Sequence, residues 1–188
     1  MSQYEHGRAS FNQRMSTEDK YLPRVVEYLW SKESTTGVEP ATSEQQVTSD
    51  IDLIWSRIVN GREIETTIEV KCDTYAPKNF AFETISNEVR GTKGCFLRCE
   101  ADLFFYYFVE NGVMYRMEMK TIYDWFVSEM SSKRNRFPVF ETYTQLDNGL
   151  VYSTFGRLVP VQQVLDALVG KVFATNMDSF GLPPGVGL

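Results

Sequence analysis

Residues 49–73, SDIDLIWSRIVNGREIETTIEVKCD, limit what this chain can become more than any other stretch. Two runs in it alternate apolar with polar side chains, the period-two pattern of half-buried strands. Between them lies Asn60-Gly61, the dipeptide a two-residue hairpin turn favours. The expected arms are residues 50–55 and 67–71. On the first, Asp50 and Asp52 share a face, opposite Ile51, Leu53 and Trp55. On the second, Glu69 and Lys71 share a face, opposite Ile68 and Val70. If the polar faces coincide, two carboxylates and an ammonium meet on one side of a two-stranded unit.

That grouping has a chemical use. Carboxylates on adjacent strands are hard oxygen ligands for Mg²⁺, which keeps several waters and accepts a site with only one or two protein carboxylates. Such an ion polarises phosphoryl oxygens and acidifies water, and a neighbouring lysine stabilises charge on a phosphate. Aspartates at a strand start are also ordinary turn formers, and a Glu-x-Lys on a sheet face is commonly a solvated pair. The strand setting, the preceding Asp-x-Asp and a helix ahead of both favour the site.

Asp52 followed by Glu69-Val70-Lys71 on the next strand resembles the signature of the PD-(D/E)xK nuclease superfamily, and the Ile51-Asp52-Leu53-Ile54 setting resembles its Mrr-like and Holliday-junction-resolvase-like members of phage or bacterial type. The proline that formally precedes the aspartate is absent. The resemblance implies a restriction-endonuclease-like α/β fold, a core order of helix, three strands, helix, strand, and Mg²⁺- or Mn²⁺-dependent hydrolysis of DNA phosphodiester bonds, most naturally by an endonuclease. Asp52 and Glu69 would hold the metal with the Val70 carbonyl beside them, and Lys71 would position water and stabilise the phosphate. Asp50 is a rival metal ligand. The first helix often supplies a further glutamate in this superfamily, and Glu18 is the best-placed match, with helix capping as its ordinary alternative. Glu83, in an Asn-Phe-x-x-Glu stretch after the lysine, is a further candidate carboxylate, with a solvated glutamate on a Phe-anchored strand as its ordinary alternative.

A chain of 188 residues, 43% hydrophobic and 14% aromatic, is long enough for one substantial core and short for two. The expectation is a flexible arm over residues 1–15, one domain over 16–170 and a flexible tail over 171–188. The net charge of −6 does not mark a general nucleic-acid binder. The single histidine, His6, falls in the arm, which leaves no triad for acyl transfer. The three cysteines, the polar N-terminus and the absence of a long apolar run read as a chain of a reducing cytoplasm, bacterial or of a phage-infected host, with no membrane association.

Along the chain, residues 16–19 read as a helix start, with Leu22, Val25, Val26 and Leu29 following at helical spacing. A turn-rich stretch with one short strand leads to the hairpin. Residues 79–84 read as extended, where the superfamily order calls for a helix. Arg90 and Lys93 lie in a glycine-bracketed loop that reads as a turn or a phosphate contact. Residues 101–109 are the strongest strand, apolar on both faces as a central strand would be. A second hairpin follows, then a helix over 121–130 that ends in the basic run Lys133-Arg134-Asn135-Arg136. Those cations either complement the helix dipole or contact DNA backbone. Two more strands and a last helix over 162–169 complete the domain, a mixed central sheet flanked by helices with a C-terminal hairpin and helix elaboration. DNA is the expected partner, and a homodimer is one arrangement open to it. The rival reading is a nuclease-like module that binds nucleic acid or protein without cutting.

Overall fold

The computed structural model describes residues 11–75, 78–132, 137–145 and 151–180. The fold is α/β, a mixed sheet flanked by helices. It opens with α1 (Phe11–Trp30), whose Val25, Tyr28 and Leu29 are buried. The helix starts earlier than its acidic turn at residues 16–19 suggests, so the expected 15-residue arm is shortened. Pro23 consequently lies inside the helix, where its missing N–H removes one intrahelical bond.

After β1 (Thr35–Pro40) comes a short helix, α2 (Ser43–Thr48), which the turn-rich reading of this stretch passed over. Its sequence signal is the capping box Thr42-x-x-Gln45, in which each side chain satisfies the other's backbone N–H. The hairpin follows as β2 (Leu53–Val59) and β3 (Arg62–Asp73). Asn60 and Gly61 turn it with φ of 52° and 74°, the double positive φ of the turn type that suits strand twist.

Residues expected to be extended are extended, as β4 (Asn79–Asn87), but β4 does not join the hairpin's sheet. The chain runs through β5 (Thr92–Lys93) and α3 (Cys95–Arg98) before β6 (Leu103–Phe108) returns parallel to β3. Then β7 (Val113–Glu118), α4 (Met119–Ser131), β8 (Val139–Gln145), β9 (Val151–Pro160), α5 (Val161–Ala167) and β10 (Val172–Asn176) follow. The main sheet runs β1-β2-β3-β6-β7-β10, and the second runs β5-β4-β9-β8. The expected tail over 171–188 is therefore corrected in its first part. Residues 172–176 pair with residues 113–117 of β7, and Met177 beyond them is fully buried. A buried methionine and an edge strand hold a segment that composition alone reads as loose.

Burial on both faces of β6 splits the interior in two. Phe105 and Tyr107 face α1 with Leu53, Trp55, Ile68, Val70 and Met114. Phe104, Tyr106 and Phe108 face the other way, against α4, Phe96 of α3 and Phe80 and Phe82 of β4. The main sheet is thus sandwiched between α1 and a mixed layer of helices and the second sheet. No helix of the described residues is long and apolar enough to cross a membrane.

Candidate functional site

The site forms where β2 leaves β3. Their pairing runs from Val59↔Arg62 to Leu53↔Ile68 and stops, while β3 continues for five more residues. Asp52, one residue before β2, still donates its backbone N–H to Ile68 O at 2.9 Å. Its carboxylate Oδ2 then accepts the Val70 N–H at 2.8 Å, replacing the ladder bond that β2 no longer supplies. Along a strand, backbone groups alternate sides, so the Val70 carbonyl faces the same gap as its N–H. Glu69 and Lys71 sit across β6 from Phe104 and Tyr106, on the sheet face opposite Ile68 and Val70.

Glu18 completes the group. It lies two turns inside α1, too deep to cap the helix, and its Oε1 accepts from Lys71 Nζ at 2.7 Å. The two side chains are 26% and 34% exposed, so the pair is held at the surface of the site, open to an incoming ligand.

Electrostatics agree with the geometry. Burial pushes the Asp52 carboxyl up to about 6, against the Val70 N–H and a hydrogen bond from Glu69 that favour its ionised form. Glu69 is raised well above the carboxylate range by burial and then by the Asp52 charge. Burial opposes the charge on Lys71, but Glu18, with help from Cys95 and Glu83, holds the ammonium well above its usual value. Two carboxyl groups that tend to retain a proton, beside a cation fixed as charged, form the kind of perturbed cluster that marks functional sites.

Asp52, Glu69 and the Val70 carbonyl are the groups here that could hold a divalent cation. Among the described residues no group of three or more His, Cys, Asp and Glu side chains could hold a metal. The donor set is instead two carboxylates and one backbone carbonyl, which suits an ion that keeps most of its water. The proton-retaining tendency of Asp52 and Glu69 is the imbalance that a bound cation would relieve.

Asp50 departs from expectation. It precedes β2 with φ of 48°, so the alternation that would align it with Asp52 is broken. Both of its carboxylate oxygens are taken by the Arg98 guanidinium, at 2.6 and 2.7 Å. A fork-on-carboxylate pair of this kind is strong and directional, and it makes Asp50 an anchor between the hairpin and α3 rather than a free ligand. Arg98 carried no signal in the sequence, because the partner lies 48 positions away.

Glu83, half-buried on β4, contributes to the field at Lys71 and at Cys95. The Cys95 thiol is driven well up by burial and by Glu83. Its place beside the site went unnoticed in the sequence. Gly94 is required here, since a Cβ would lie 2.5 Å from the Glu83 carbonyl carbon and oxygen. Arg90 is exposed in the β4–β5 turn and Lys93 is exposed on β5. Lys133, Arg134 and Arg136 lie outside the described residues. Comparison with known proteins returns no match: no family model, no curated protein and no solved structure matches this chain.

Proposed function

We propose that the protein is a metal-dependent nuclease of the PD-(D/E)xK type that hydrolyses DNA phosphodiester bonds. The observation that carries this reading is the grouping of Asp52, held by the Val70 N–H in the gap where β2 leaves β3, with Glu69 and Lys71 on the adjoining strand and Glu18 on the lysine. The element order supports it in outline. One helix, three antiparallel strands, a short helix and a strand parallel to the third run in sequence, interrupted by α2 after the first strand and by β4 and β5 after the third.

Asp52, Glu69 and the Val70 carbonyl would hold Mg²⁺ or Mn²⁺, whose chemistry is Lewis acidity toward a phosphoryl oxygen and the attacking water. The chain's own groups do the rest. The Val70 N–H fixes the Asp52 carboxylate, so one of its oxygens is oriented before any ligand arrives. Lys71 is held as an ammonium and so acts by charge, not as a base. It has three donors; one goes to Glu18, and two are left for a phosphate oxygen and a water. Glu18 keeps that ammonium charged and aimed.

Cleavage of supercoiled, linear, single-stranded and branched DNA with Mg²⁺ or Mn²⁺ tests the reading. Wild type should cut one or more forms, and Lys71→Ala should cut more slowly by roughly 10²–10³-fold, the usual loss for one charge-stabilising donor. Asp52→Asn should be at least as impaired. A folded wild type that neither binds metal nor cuts any form would sink the proposal and leave a non-catalytic module.

A further inference from the structure

A second polar site lies on the α1 face of the main sheet, opposite the face that carries Glu69 and Lys71. It is a partly open cavity of about 370 Å³ whose lining includes Trp55, Arg57, Arg116, Glu118, Lys171 and Phe173. Three cations and one carboxylate therefore share a small space in a chain whose net charge is −6. Like charges gathered this closely repel unless something negative joins them.

Among the described residues no ion pair involves Arg57, Arg116 or Lys171. Arg57 lies over the Trp55 ring at 4.3 Å, and its Nη2 reaches Thr66 Oγ1 at 3.4 Å. Its buried Nε has no hydrogen-bond partner. Arg116 lies over Phe173 at 4.9 Å, and β7 and β10 hold these two residues directly opposite each other. Neither Arg116 nor Lys171 has an ion pair among the described residues. The one acid, Glu118, is exposed and accepts from Thr121 Oγ1 at 2.9 Å. Each guanidinium lies against an aromatic ring, and apart from the Arg57 Nη2 contact to Thr66 neither makes a hydrogen bond among the described residues. That is the pre-organisation with which arginine takes up phosphate.

We propose that this cavity binds a phosphate-bearing small molecule, with Arg57, Arg116 and Lys171 on the phosphate and half-exposed Phe173 available to a flat group attached to it. The site is independent of the nuclease reading, since it shares no residue with the metal centre and needs no metal.

Calorimetric titration in EDTA with inorganic phosphate and, separately, with deoxyadenosine monophosphate tests the assignment. Wild type should bind at least one of them. Tighter binding of the nucleotide would show that Phe173 engages the base, and equal binding would assign the site to phosphate alone. Arg116→Gln and Lys171→Gln should each weaken binding roughly tenfold, the loss of one charge-assisted hydrogen bond. Lys171 is exposed, so its variant folds even if the Arg116 variant does not. Lys71→Ala should bind as wild type does. The proposal is overturned if millimolar phosphate and nucleotide give no binding, if Lys171→Gln binds as tightly as wild type, or if Lys71→Ala abolishes binding.

Discussion

Asp52 accepts the Val70 N–H and stands beside Glu69, and burial raises both carboxyl groups toward their protonated forms. The consequence for the metal-free protein has a definite sign. A carboxyl whose folded pKa is about 6, against 3.8 ordinarily, binds its proton more tightly when folded. Its contribution to stability is complete below about pH 4 and is lost as the pH rises through 6. Glu69, raised by burial and by the Asp52 charge, adds a loss of the same sign. In EDTA, Asp52→Asn should therefore raise the melting temperature at pH 7.5 relative to wild type and have little effect at pH 4. Mn²⁺ should raise the wild-type melting temperature at pH 7.5 and leave Asp52→Asn nearly unmoved, as mass action on the folded state requires. Thermal scans at the two pH values decide it; a variant less stable than wild type at pH 7.5 in EDTA would contradict the buried-carboxylate account. Glu18 gives a second test. Glu18→Gln keeps a hydrogen-bond acceptor for Lys71 but loses the charge, so cleavage should fall by roughly tenfold, with a lower melting temperature because the ammonium loses its counter-charge. A role in helix capping alone predicts lower stability with full activity.

At the scale of elements, the unusual component is the insertion of β4, β5 and α3 between the two parallel strands. It is docked by aromatic side chains. Phe82 is fully buried, stacked on Phe96 at 4.0 Å and edge-on to Phe104 and Phe126. Phe82→Ala should cost about 3–5 kcal/mol, the range for deleting a buried phenylalanine, read as a lower urea midpoint with an unchanged slope. A loss below about 1 kcal/mol would mean that the insertion is loosely attached. The extended character of this stretch is legible in its Phe-x-Phe alternation, as the hairpin turn is in Asn60-Gly61. Its sheet partner is not, because β4 pairs with β9 more than 70 residues later, and local periodicity carries no record of so distant a neighbour. The same limit hid the Asp50–Arg98 pair and the strand β10. By contrast Asp52, Glu69 and Lys71 could be read together because a two-residue turn fixes the register between their strands. Glu18 could be only a candidate, since its approach to Lys71 depends on how α1 lies across the sheet.

Over the whole molecule, two sheets raise the question of whether they unfold together. Sheets joined only by linkers would each need a core of their own, which 188 residues scarcely provide. Here one cluster joins Phe104, Tyr106, Phe108 and Met117 of the main sheet to Phe80, Phe82 and Val159 of the second. Tyr106 ties them further: its hydroxyl accepts the Ala81 N–H at 3.0 Å and donates to Asp73 at 2.6 Å. Exposing either sheet would strip the other of its inner face and leave that buried hydroxyl unsatisfied. The candidate site depends on the same union, because Glu83 and Cys95, which shape the field at Lys71, belong to the insertion. Calorimetry in EDTA should therefore give a single transition whose measured enthalpy equals the van't Hoff value. Tyr106→Phe should lower its temperature without splitting it. Two resolved transitions would mean that the second sheet is a separable unit, and the site would then have to survive its unfolding.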